Sequence, residues 1–166
     1  MDLILRRARA LDAPVIADQW LAMMREHQGF EPRLGLTPGA RDHYREYVEQ
    51  HITSDDGIVL VLETPRSGFL GHSRIVGFLV SFTVRNYPMF TPPEYGFISD
   101  VTIVPDLRGQ GLGARLVAAA EREFHHRGID TIHLHIYMAN ESGRQFWQRM
   151  GYASFIEGCM KLLPHG

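Results

Sequence analysis

Apolar positions along this chain change period several times, and each change marks an element. Leu3 to Ala8 is a short apolar-rich run that predicts a first strand. Asp12 is placed to cap a helix, Pro14 is tolerated in its first turn, and Ile16, Trp20, Met23, Met24 and His27 follow at helical spacing. The turn-rich stretch from Gly29 to Gly39 ends at Thr37-Pro38, which predicts a second helix with Tyr44, Val48 and Ile52 on its buried stripe. After the turn Ser54 to Gly57, Ile58 to Glu63 is a continuous apolar strand, and Thr64 to Ser73 reads as a hairpin loop. Arg74 to Asn86 alternates, which puts Val76, Phe78, Val80, Phe82 and Val84 on one face and Gly77, Ser81, Thr83 and Arg85 on the other.

The second half is simpler in outline. Tyr87 to Tyr95 is an irregular segment rich in aromatics and proline, followed by an extended run from Phe97 to Val104. Leu112 to Arg127 is strongly helical, with Leu112, Leu116, Val117, Ala120 and Phe124 on one face and Gly128 as its stop. Thr131 to Met138 predicts another strand, Asn140 opens a last helix, and Cys159 falls on an expected final strand as a small buried residue. The order βααβββαβαβ predicts an α/β fold: a mixed, mostly antiparallel sheet with helices on both faces.

Between the run ending at Val104 and the helix opening at Leu112 stands Asp106-Leu107-Arg108-Gly109-Gln110-Gly111-Leu112-Gly113-Ala114. A strand, a glycine turn and a helix start leave unpaired backbone N–H groups converging on one spot, with the positive helix end behind them. Such a spot suits a phosphate, and side chains at Gly109, Gly111 or Gly113 are expected to obstruct it or its dihedrals. A nucleotide P-loop is excluded, because Gly113 is followed by Ala114-Arg115 and not by Lys-Ser/Thr. Gly109-x-Gly111-x-x-Ala114 also fits a permissive dinucleotide fingerprint. It lies far from the first βαβ position, however, and the next strand ends in Met138-Ala139 without the acidic residue that motif needs.

Three segments in register resemble one family, the GCN5-related N-acetyltransferases. Val104-Pro105-Asp106-Leu107-Arg108-Gly109-Gln110-Gly111-Leu112-Gly113 is similar to its acyl-CoA pyrophosphate loop. Leu5-Arg6-Arg7-Ala8-Arg9-x-x-Asp12-Ala13 resembles its opening strand and helix cap, and Asn140 with Phe146-Trp147 and Gly151-Tyr152 resembles its closing segment. The resemblance implies an acetyl-CoA-dependent N-acetyltransferase moving an acetyl group by direct attack of a primary amine. It implies that the backbone of Val101, Thr102 and Ile103 pairs with the pantetheine arm and that one N–H, that of Ile103, faces the thioester oxygen. It implies that Arg108, Gly109, Gln110, Gly111, Leu112, Gly113 and Ala114 hold the pyrophosphate, with Asn140 and Trp147 also beside the cofactor.

The chain departs from that family twice. Phe97-Ile98-Ser99-Asp100 stands where a glutamate is often found, and Trp147 stands where a tyrosine often protonates the leaving thiolate. An indole N–H is too weak an acid for that step. Asp100 is therefore the expected base and Tyr137 the expected acid, with His135 in reserve; the alternative readings are an anchoring carboxylate and a packed aromatic. His133 and His135 share a strand face without a third ligand in the pattern, so no metal site is expected. Glu26, His27 and Phe30, with Tyr87 and Tyr95, are expected around the acceptor. Those stretches are aromatic and mildly charged, which favours a small-molecule or amino-acid-like amine over a polyamine, with a peptide N-terminus or lysine as the other option.

Composition narrows the field only at its edges. A chain of 166 residues is expected to form one domain, residues 1–166. A net charge of −2 gives no bulk electrostatic case for nucleic acid or an anionic membrane. One cysteine excludes an internal disulfide, and no run resembles a secretion signal or a membrane span, so a cytoplasmic location is expected. The rival classes are a non-catalytic acyl-CoA-binding module and a nicotinamide oxidoreductase. Dimerisation through the last strands is common in folds of this kind, and the residues leave a homodimer undecided.

Overall fold

The computed structural model describes residues 2–65 and 73–163. Five strands, β1 (Ile4–Arg7), β2 (Gly57–Glu63), β3 (Ile75–Arg85), β4 (Glu94–Ile103) and β5 (Ile132–Leu134), lie in the order of their sequence. Pairing is antiparallel from β1 through β4 and parallel between β4 and β5. Helices α1 (Ala13–Phe30) and α2 (Ala40–Thr53) precede β2, α3 (Leu112–His126) crosses from β4 to β5, and α4 (Glu141–Arg149) follows β5. The fold class expected from the pattern is therefore observed. Among the described residues no helix is long and apolar enough to cross a membrane.

Helices on both faces explain why β2 is apolar throughout. Val59 and Val61 pack with Ile16, Ala17, Tyr44, Val48, Phe78 and Val80 under α1 and α2. Ile58, Leu60 and Leu62 pack with Leu79, Ile98, Leu116, Val117, Ala120 and Phe124 under α3. Burial of these side chains is worth about 1.5–3 kcal/mol each before conformational entropy is set against it.

Several expectations are corrected. Val76 does not share a face with Phe78 and Val80: the register slips between Leu62↔Gly77 and Glu63↔Ile75, and this bulge turns Val76 into the α3-side core. The second helix begins at Ala40, because the Ala40 N–H donates to the Thr37 carbonyl (3.0 Å) in a turn before the helix. Asp12 does stand at the N-cap position of α1, yet its carboxylate turns back to Arg6 and to the Arg9 N–H and takes no α1 amide. The strand expected over Thr131 to Met138 is regular only at Ile132–Leu134, and the Asn140 N–H closes a turn onto the Tyr137 carbonyl (2.9 Å). No strand follows α4 among the described residues, since so short a β5 offers little ladder to pair with, and Cys159 is exposed. Most of the expected hairpin loop, residues 66–72, lies outside the described residues.

Arg6 ties the first strand to the helical layer. Its guanidinium donates to Asp12 at 2.7 and 3.1 Å and to Glu63 at 2.8 Å. Burial would raise the Asp12 carboxyl, but hydrogen bonds from Arg6 and Arg9 hold it below the ordinary carboxylate range, and Arg6 does the same for Glu63. Asp12 is 3% exposed, so Arg6→Met strands a buried charge and should cost about 3–5 kcal/mol in urea denaturation at neutral pH. Both carboxyls are depressed, so the network stabilises fully above about pH 5 and is lost as pH falls through their folded values. The deficit of the variant should accordingly shrink in acid; an undiminished deficit there would assign it to packing.

Candidate active site

A single 3-10 turn, Pro105–Leu107, carries the chain from β4 to Arg108. Gly109 and Gly111 then adopt φ of 77° and 75°, a left-handed conformation that side chains with a Cβ disfavour. The first bond of α3 is from the Arg115 N–H to the Gly111 carbonyl (3.1 Å), and among the described residues no amide from Gly109 to Ala114 donates to a backbone carbonyl. Six consecutive N–H groups are thus left at the positive end of a 15-residue helix. Gly113 differs from the other two: it is helical, and a Cβ there would meet the Phe146 ring at 3.5 Å, an ordinary contact. The dihedral argument therefore holds for Gly109 and Gly111 and not for Gly113.

Beside this loop β4 loses its neighbour. Its pairing with β5 runs only from Gly96↔Ile132 to Ile98↔Leu134, and at that point β4 bulges. Val80 faces Asp100 while Ser81 faces Ile98, which leaves Ser99 as the extra residue. Beyond the bulge, the Val104 N–H donates to the Val76 carbonyl. By antiparallel alternation the amides of Val101 and Ile103 then point away from β3, toward the open edge. The Ile103 carbonyl on that edge accepts from Arg108 Nε at 2.9 Å. The same guanidinium holds Glu26 of α1 through two bonds of 3.0 Å. The Arg108 side chain is therefore a strut from β4 to α1.

The bulge also puts two adjacent residues on one face. Tyr44 OH donates to Asp100 Oδ2 at 2.9 Å, Ser99 Oγ donates to the same oxygen at 2.6 Å, and Tyr47 OH donates to Ser99 Oγ at 3.1 Å. The Trp20 ring stacks on Tyr44 at 4.1 Å. Burial raises the Asp100 carboxyl above its ordinary range, partly opposed by Ser99, Tyr44, Trp20 and His27. The His27 ring meets Tyr137 edge-on at 5.5 Å and Phe30 at 5.9 Å. Burial lowers its pKa; Asp100 and Glu26 pull it upward and Arg108 pushes it down. Tyr137 is raised by burial first, then by Glu31 and Asp100, so its phenol stays protonated at neutral pH.

The acetyltransferase (GNAT) family profile matches residues 20–152. The chain belongs to that family. It is 22% identical over 164 residues to the N-acetyltransferase YhfO of Bacillus subtilis (strain 168), a protein of uncharacterised role, covering 95% of this chain and 97% of that one. A GCN5-related N-acetyltransferase from Ralstonia eutropha JMP134 superposes with a TM-score of 0.74 at 22% identity, covering 97% of this chain and 99% of the other. A predicted acetyltransferase from Clostridium acetobutylicum, solved with acetyl-CoA, also gives 0.74, at 15% identity over 97% and 96% of the two chains. This chain is an N-acetyltransferase by that membership, and the resemblance read from its three segments is borne out.

The acetyltransferase gathers Glu26, His27, Asp100, Arg108 and Tyr137 in one region. Phe30, Tyr95, Phe97, His133, His135, Tyr137 and Trp147 line a cleft of about 1,610 Å³ along β5. Within it Tyr95 stacks on His133 at 4.1 Å and Phe97 meets His135 edge-on at 5.1 Å. Tyr87 does not join them; it stands 71% exposed on the loop between β3 and β4. Trp147 packs beside Phe146 and Tyr152 against the α3-side core. Sequence reasoning missed Trp20, Tyr44, Tyr47 and Ser99. Two tyrosines three apart on a helix, opposite a Ser-Asp pair that interrupts an apolar strand, were the available signal. Asn140 Oδ1 accepts from the Gly143 N–H at 3.0 Å and caps α4. Asn140→Ala should therefore cost about 1 kcal/mol of stability in denaturant titration, and Asn140→Asp appreciably less.

Proposed function

We propose that this acetyltransferase moves the acetyl group of acetyl-CoA onto the primary amine of a small, aromatic or amino-acid-like acceptor. The observation that carries the reading is the run of six free amides, Gly109 to Ala114, beside the open edge of β4. In this reading those amides hold the pyrophosphate, with charge-assisted bonds of about 1.5–3 kcal/mol each. The free edge at Val101, Thr102 and Ile103 takes the pantetheine arm as an added strand, and the Ile103 N–H stabilises the tetrahedral oxyanion. Asn140 and Trp147 close the cofactor side from α4.

Tyr137 keeps its proton at neutral pH and is the group proposed to hand it to the departing sulfur. Aromatic and imidazole rings from Phe30, Tyr95, Phe97, His133 and His135 line the cleft, which favours a flat amine; Glu31, Glu121, Asp130 and Glu157 line it too, with Arg33 and Arg144. Calorimetry with CoA, followed by a thiol-release screen of phenethylamine, tyramine, amino-acid amides and a lysine-bearing peptide, tests the assignment. Turnover of the small amines is expected; turnover of the peptide alone would move the acceptor class to proteins. Gly111→Val should raise the CoA dissociation constant at least tenfold, since its φ of 75° costs a β-branched residue about 1–3 kcal/mol. Gly113→Ala should bind nearly as the parent does, and equal binding by both variants would remove the loop from the site.

A further inference from the structure

Asp100 is the carboxylate nearest the divergence of β4 and β5, yet its geometry is that of an anchor. Its Oδ2 already accepts from Tyr44 OH at 2.9 Å and from Ser99 Oγ at 2.6 Å. Those donors come from α2 and from β4 itself, and Tyr44 in turn stacks on Trp20 of α1, so the group ties the helix pair to the bulge. An amine approaching Oδ2 would have to displace one of them. His27 presents the opposite situation. It lies in the closing turns of α1, half-buried, and neither ring nitrogen has a hydrogen-bond partner among the described residues.

We propose that His27 is the catalytic base of the acetyl transfer and that Asp100 is a positioning residue that holds the helix pair and biases the imidazole electrostatically. The assignment rests on the acetyltransferase reading above. As the amine nitrogen forms its bond to the thioester carbonyl carbon, its N–H proton passes to a His27 ring nitrogen. The C–S bond breaks with its electron pair on sulfur, which takes the Tyr137 phenol proton. The His27 and Tyr137 rings touch, so the proton held by imidazolium restores the phenol, directly or through water, and the net products are amide and free thiol. The groups facing His27 are Glu26 on its own helix, Asp100 on β4, Arg108 on the glycine loop and Tyr137 after β5. Burial already keeps the imidazole below its ordinary pKa and therefore neutral at pH 7, as a base must be.

The test is the pH profile of kcat/KM with the best amine of the panel, together with an NMR titration of the His27 ring without amine. His27→Gln should lower kcat/KM at least a hundredfold and abolish the acid limb, while CoA binding and melting temperature stay near the parent's. Asp100→Asn removes the negative charge that draws the His27 pKa upward. Its acid limb and its ring titration should both move to lower pH, with a rate loss of no more than about tenfold. His27→Gln retaining the acid limb would overturn the assignment. So would an Asp100→Asn enzyme that loses the limb altogether or leaves the ring titration unmoved. Absence of turnover by the parent enzyme with every amine would count against the proposed function itself, and this assignment would fall with it.

Discussion

The bulge at Ser99 is the constraint on which the rest of the site depends. Parallel pairing between β4 and β5 stops at Ile98, the residue before it, and from there the two strands part. The same extra residue turns Ser99 and Asp100 together toward α1 and α2, where two tyrosines fasten them. One added residue thus opens an edge of free amides and anchors the helical layer over it. A sheet in perfect register would put Ser99 and Asp100 on opposite faces and leave one of them in the apolar α3-side core.

Around that opening the loads are shared between backbone and side chain in a way that suits a large anionic cofactor. The glycine loop contributes amides and a helix end, neither of which titrates, so its attraction for a diphosphate does not change across physiological pH. Arg108, the one cation of the loop, is committed to the Ile103 carbonyl and to Glu26. Its guanidinium braces the end of α1 against β4 at the point where His27 enters the site. Glu26 and Arg108 are both close to half exposed, so their pair contributes little to stability and chiefly fixes geometry.

Much of this was legible in the sequence where the signal is local. The strand–glycine–helix order around Gly109 and Gly111 is written in consecutive residues, and so are the buried stripes of α1 and α3. What sequence alone could not convey depends on register. Alternation placed Val76 beside Phe78, and only the slip opposite Glu63 moves it to the other core. Nothing near Asp100 in sequence announces Tyr44, 56 positions away, as its donor. Periodicity also overran its evidence at the end of the chain. The apolar residues around Cys159 pattern like a strand, but a three-residue β5 gives them no ladder, and the segment stays exposed. Tyr87 belonged to an aromatic-rich stretch, and composition alone could not say which of its rings would face the cleft.

The most direct test of the account is a backbone amide NMR titration with CoA. The account predicts that the largest shifts fall on Gly109 through Ala114 and on Val101 and Ile103, in one saturating event. Saturable binding that leaves those amides unmoved, or that moves them without touching Val101 and Ile103, would contradict a single seat built from the glycine loop and the freed edge of β4.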